Sequence, residues 1–269
     1  MSVDAITERR RDRADPEAPL LSVEDVRKSF GGVAAVSAVT LEVRSGETVA
    51  LVGPNGAGKT TLFNCICGQI APDDGSIRLA GVPLGRMPTY RRARLGIGRT
   101  YQRVEVFPEL TVREHLLVAE RARGNTGRLW RDLLNLSSPH RDEMARVEEV
   151  LELVGLAERA DTPVAALGLG SCRVVELARA LVGEPRILMA DEPSSGLDVH
   201  ETRQLAEILR SVQRQRGMAI LLVEHDLTMV ASVADRVVVM DLGVVIAEGR
   251  FEQVMEDERV RLAYLGTTR

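Results

Sequence analysis

Short, wholly apolar runs alternate along this chain with longer stretches in which apolar residues recur at helical spacing. Thr48–Val52 lies between Gly46 and Gly53, Ile187–Ala190 runs into Asp191-Glu192, and Ala219–Val223 runs into Glu224-His225. Brief apolar runs bounded in this way predict strands buried on both faces, as in a parallel sheet. Lys59 to about Ile70 predicts a helix, and Thr111-Val112-Arg113-Glu114 has the pattern of a capping box opening another. Val147, Val150, Leu151 and Val154 share a helical face that Gly155 ends, and Leu205, Ile208, Leu209 and Val212 share one that stops near Gly217. Val237–Met240 and Val244–Ile246 flank Leu242-Gly243 as a hairpin. Asp73-Asp74-Gly75 marks a turn, and Leu20 to Val43 holds β-like stretches such as Val39–Val43. The region 104–182 reads as mostly helical, with mixed loop signals from Gly124 to Arg141 around the lone Trp130. Strands alternating with helices predict an α/β fold with a parallel, doubly wound sheet.

Composition narrows the classes. A chain of 269 residues with 45% hydrophobic and 28% charged residues can bury a large core in one or two domains. Lys plus Arg number 35 against 39 Asp plus Glu, a balance that disfavours nucleic acid as a general partner. No apolar run approaches the roughly 20 residues that span a bilayer. The opening MSVDAITERRRDRADPEAP lacks the apolar core of a secretory signal. The expectation is a cytosolic chain that reaches a membrane only through a partner. Residues 1–18 read as a disordered tail, whose Arg9-Arg10-Arg11 run is either solvated or in touch with anionic lipid. Cys65, Cys67 and Cys172 read as reduced thiols; with no second pair at matching spacing, Cys65 and Cys67 are expected to be buried small side chains rather than half a metal site. The only lysines are Lys28 and Lys59, so a Lys in this Arg-using chain raises a question about its position.

The chemistry begins where the strand ending at Val52 meets Gly53-Pro54-Asn55-Gly56-Ala57-Gly58-Lys59-Thr60, which fits the phosphate-binding pattern GxxxxGK[ST]. Glycines let the backbone curl so that N–H groups point at phosphate oxygens, and the following helix adds its positive end. Lys59 would set a compact charge on the β and γ phosphates, and the Thr60 hydroxyl would ligate magnesium. The run ending at Asp191 supplies the second half. Asp191 would hold the magnesium ion through water, and Glu192 would orient or deprotonate the attacking water.

With these two elements in place, the sequence resembles the ABC ATPase family from about Leu20 to Gly266. The resemblance implies a P-loop core with a parallel sheet, an N-terminal antiparallel β subdomain and a helical subdomain at about 104–182, all within a domain of residues 19–266. It places Phe30 against adenine and adds Thr61 to the nucleotide contacts. It makes Gln102 the Q-loop residue that senses magnesium and the γ-phosphate, Asp198 part of the D-loop, and His225 the switch histidine. His115, His140 and His200 have no such frame and are expected to be surface or packing residues. The family's LSGGQ signature corresponds here to Leu167-Gly168-Leu169-Gly170-Ser171, with Gly170 kept, Gly168 in place of Ser and Ser171 in place of Gln. One hydroxyl donor is lost, and a hydrogen bond to a charged group is worth about 1.5–3 kcal/mol.

Three segments resemble the ATPases of branched-chain amino acid importers: GIGRTYQRVEVFPELTVREHLLVA from Gly96 to Ala119, DEPSSGLDVHET from Asp191 to Thr202, and the end from Ala247-Glu248-Gly249 through Ala263-Tyr264-Leu265-Gly266. That resemblance implies ATP and Mg2+ as cofactors, membrane permease subunits and a second ABC ATPase subunit, like or unlike, as partners, and an extracytoplasmic solute-binding protein acting indirectly. It places the chain at the cytoplasmic face of the cell membrane and leaves the solute open, since urea, short amides or other small polar solutes fit as well. A lipopolysaccharide-export ATPase is the nearest rival. A soluble ABC ATPase of DNA repair or translation is disfavoured by the single cassette and the short span from Gln102 to Gly170. A regulatory switch with little turnover is disfavoured by Glu192 and His225.

Overall fold

The computed structural model describes residues 18–100, 107, 109–123 and 140–265. Gln102, Trp130 and Gly266 lie outside these residues, as does all but the last residue of the 1–18 segment. In chain order the first elements are β1 (Leu21–Phe30), β2 (Val33–Val43), β3 (Thr48–Val52), α1 (Lys59–Cys67), β4 (Asp74–Leu79), β5 (Val82–Pro83), α2 (Thr89–Arg94) and β6 (Ile97–Arg99). They are followed by α3 (Val112–Arg123), α4 (Arg141–Leu153), α5 (Leu169–Leu181), β7 (Ile187–Asp191), α6 (Val199–Arg216), β8 (Ala219–Val223), α7 (Leu227–Val233), β9 (Arg236–Asp241), β10 (Val244–Gly249), α8 (Phe251–Glu256) and α9 (Glu258–Leu265).

Two sheets organise the molecule. One is four-stranded and antiparallel, in the order β2-β1-β4-β5; the other has six strands in the order β10-β9-β3-β8-β7-β6. The second sheet is parallel except for β10, which turns back on β9. That turn is the expected hairpin: Leu242 and Gly243 both have positive φ, 44° and 84°, as a two-residue turn matching strand twist requires.

The apolar strand runs are buried on both faces because the sheet divides two cores. Val49 and Leu51 of β3 pack with α1 and the antiparallel sheet, while Ala50 and Val52 face the helices α3 to α7. Leu62, Phe63 and Ile66 fix α1 in the first core, each fully buried, and burying a side chain of this size contributes about 1.5–3 kcal/mol. Cys65 and Cys67 are packed there too, and burial pushes the Cys67 thiol up to about 12.

The helix expected to reach Ile70 stops at Cys67. Gly68 turns left-handed with φ 82°, and Gln69 N donates back to Asn64 O at 3.0 Å. Arg92 then finishes the cap. Its buried guanidinium donates to Cys65 O (2.7 Å), Ile66 O (2.8 Å), Gly85 O (2.7 Å) and Met87 O (2.9 Å). The other helix signals hold. Thr111 and Glu114 form the capping box, with Glu114 N donating to Thr111 Oγ1 at 3.2 Å and Thr111 N to Glu114 Oε2 at 2.8 Å. Gly217 ends α6 at φ 57°.

Candidate active site

Parallel pairing brings three chemistry-bearing loops to one edge of the sheet. Leu51 is in register with Val223, and Val223 with Asp191. The glycine-rich loop after β3, the Asp191-Glu192 step after β7 and the Glu224-His225 step after β8 therefore all leave by the carboxyl end of neighbouring strands, where open α/β sheets form their ligand crevices.

The loop Gly53–Gly58 is clamped from both sides. Gly243 N donates to Ala57 O at 3.0 Å, and Ser37 N donates to Gly243 O at 2.8 Å. The strands press so close that a Cβ on Gly53 would collide with the Met240 carbonyl oxygen, and one on Gly58 with the Ala35 carbonyl oxygen. Both glycines have positive φ, 143° and 95°. Pro54 and Ala57 are buried beneath the loop, whereas Asn55 and Gly56 form its exposed rim. Lys59 opens α1, and its ammonium donates to Gly53 O (2.6 Å) and Pro54 O (2.9 Å). Burial draws its pKa down, and the Glu192 carboxylate pulls it back. Thr60 is exposed and Thr61 half-buried in the same first turn. The loop thus presents a buried cation and a helix N-terminus to an anion.

Asp191 ends β7 buried, and burial pushes its carboxyl above the ordinary range; Arg99 opposes that push while Glu192 and Glu224 add to it. Arg99 Nη2 lies 3.6 Å from Asp191 Oδ2, and its guanidinium stacks 4.9 Å from the centre of the Phe63 ring. Glu192 has a left-handed backbone, φ 47°, held by Glu192 N donating to Val223 O at 2.8 Å. A non-glycine residue in this region is held there by its surroundings. Thr60 and Asp191 offer the hard oxygen donors that magnesium takes, so the residues present fit that ion.

Glu224, which sequence reasoning passed over, ties the site loops together. Fully buried, it accepts from Ser194 N (2.9 Å), His225 N (3.0 Å) and Asp226 N (3.3 Å), tying the loop after Glu192 to the loop bearing His225. His225 itself is exposed. Asp226 caps α7 by accepting from Thr228 N at 2.8 Å.

The remaining predicted residues lie elsewhere. Phe30 sits at the open end of β1, 50% exposed, so it is not an ordinary core residue. Asp198 caps α6 by accepting from His200 N and Glu201 N, both at 2.8 Å. Gly168 caps α5, which places Gly170 and Ser171 inside its first turn. Gly170 N donates to Glu201 Oε1 at 3.2 Å, and Arg159 Nη1 donates to Ser171 Oγ at 3.0 Å. Val174, Leu177, Ala178 and Leu181 of α5 are buried as expected. His115 is a packing residue, buried and stacked on Phe107 with ring centres 5.9 Å apart; His140 and His200 lie at the surface, each at the start of a helix.

The sequence pattern of the ABC transporter family matches residues 36–195, more than half of the chain. The chain belongs to that family. A second pattern, that of the branched-chain amino acid ATP-binding cassette transporter, matches residues 244–268. The cassette is 42% identical to the high-affinity branched-chain amino acid transport ATP-binding protein LivG of Escherichia coli (strain K12) over 92% of this chain and 98% of that one. It is 35% identical to the lipopolysaccharide export system ATP-binding protein LptB of Haemophilus influenzae, over 92% and 97%. Among solved structures, the ADP conformation of MJ1267, an ATP-binding cassette of an ABC transporter, superposes with a TM-score of 0.83 at 28% identity, covering 93% of this chain and 99% of that one. The α/β P-loop fold expected from the sequence is therefore the fold of this ABC ATPase. Among the described residues, no helix is long and apolar enough to cross a membrane.

Proposed function

We propose that the chain is the ATP-hydrolysing subunit of a bacterial importer for branched-chain amino acids or similar small polar solutes. The hydrolytic part rests on the convergence of Lys59, Asp191, Glu192 and His225 at one sheet edge. The solute rests on the branched-chain cassette pattern at residues 244–268, which favours an importer over the LptB-like alternative.

The residues would act as follows. The backbone N–H groups of the Gly53–Thr60 loop, Pro54 having none, and the Lys59 ammonium bind the β and γ phosphates, with Thr61 beside them and Phe30 against the base. Thr60, Asp191 and Gln102 would hold magnesium. Bound there, the ion would neutralise charge developing on the phosphates. Glu192 orients water in line with the γ-phosphorus and takes its proton, and His225 contacts the γ-phosphate. In a pair of cassettes, the Gly170 and Ser171 end of α5, together with Asp198, completes the site of the other copy. The cassette spans 19–266, and the helices at about 104–182 move as the pair closes, carrying membrane permease subunits with them. The chain works at the cytoplasmic membrane face, with a solute-binding protein acting only through the permease and no nucleic acid involved.

The test is uptake of radiolabelled leucine, isoleucine and valine by host cells lacking the chain. Wild-type chain should restore it and Glu192→Gln should not. Uptake of all three that is unaffected by loss of the chain would overturn the solute assignment.

A further inference from the structure

Lys28 is the one lysine that the phosphate site leaves unexplained; all other basic residues among the 35, apart from Lys59, are Arg. It lies two residues before Phe30 on β1. Its ammonium sits 5.4 Å from the centre of the Phe30 ring. The Lys28 side chain is only 16% exposed, whereas Phe30 is 50% exposed, so the charge lies behind a ring that faces outward.

Asp73 holds the charge there. Lys28 Nζ donates to Asp73 Oδ1 at 2.6 Å, Ser29 N donates to Asp73 Oδ2 at 2.8 Å, and Asp73 N donates to Arg27 O at 2.9 Å. Three bonds stitch the turn before β4 to the last residues of β1. The carboxyl of Asp73 is held below the usual range by the Lys28 hydrogen bond first and the Ser29 amide second. A compact ammonium thus sits between a carboxylate and a ring face.

We propose that Lys28 is a positioning residue for the nucleotide base: anchored by Asp73, it backs and polarises the Phe30 ring so that the opposite face stacks on the base. This rests on the reading of Phe30 as the base-stacking residue. A cation behind an aromatic ring draws electron density toward itself and holds the ring in place; at exposed sites the contact is worth roughly two- to fivefold in an equilibrium constant, which bounds what base affinity can lose with it.

The test is calorimetric titration of the full chain with ADP, and with pyrophosphate as a probe that lacks a base. Lys28→Met should weaken ADP by up to about fivefold and leave pyrophosphate unchanged, and the double variant with Phe30→Ala should be no weaker than Phe30→Ala alone. Asp73→Asn should weaken ADP in the same direction by less. If Phe30→Ala weakens ADP while Lys28→Met does not, the proposal falls and the reading of Phe30 stands. Equal loss for ADP and pyrophosphate, or a Lys28→Met loss that persists beside Phe30→Ala, would place Lys28 on the phosphates or in the fold and overturn it. No loss on Phe30→Ala would remove both.

Discussion

The glycine-rich loop and the signature segment both lead into a helix start, yet the chain holds them in opposite ways. At Gly53 and Gly58 the Met240 and Ala35 carbonyl oxygens leave no space for a side chain. At Gly168 nothing lies within 4 Å of where a Cβ would be, and the residue is exposed with an ordinary extended backbone. The first segment is dictated from inside the molecule. The second faces outward, its Gly170 amide engaged by Glu201 of the same chain. Only at Gly168 does the chain impose nothing on the side chain, and that freedom accommodates Gly in place of the Ser of LSGGQ; Gly170 and Ser171 are held by Glu201 and Arg159.

Substitutions can separate the two regions, and the largest effect belongs to the strand-edge chemistry. Glu192→Gln should reduce phosphate release by about 10²–10⁴-fold while ATP affinity is retained, as read by steady-state hydrolysis and equilibrium binding. It silences the first region and leaves the second intact. Gly53→Ala or Gly58→Ala should cost about 3 kcal/mol in thermal unfolding and abolish tight nucleotide binding, because backbone must move to admit the methyl group. Glu201→Ala should cost about 1 kcal/mol, since it strips the acceptor from Gly170 N and from the α6 cap together, and denaturant titration would register it. Gly168→Ser should change stability by only a few tenths of a kcal/mol, in the stabilising direction, because Ser is the better helix cap. A Gly168→Ser protein destabilised as much as Gly58→Ala would erase the contrast.

What the sequence made visible follows the same division. The phosphate loop was legible because close backbone approach forces glycine at fixed spacing, and the strand runs because burial on both faces leaves them wholly apolar. The partners of the site were not. Glu224 reaches back 30 positions to Ser194 N, and Glu201 reaches 31 to Gly170 N. In a chain with 39 acidic residues, no local pattern marks which carboxylates do this. Arg99 lies within the segment Gly96 to Ala119, but its place between the Phe63 ring and Asp191 exists only once β6 pairs with β7. The over-long α1 had the same origin, for the Arg92 cap comes from another helix.

In the proposed pair, the outward-facing signature of one copy closes on the phosphate loop of the other when ATP is bound. The most direct measurement is the mass in solution of the Glu192→Gln protein, with and without ATP and magnesium. A mass that doubles with ATP and returns to that of one chain with ADP is the predicted result. A single-chain mass under saturating ATP would contradict it and assign the completing signature to an unlike subunit.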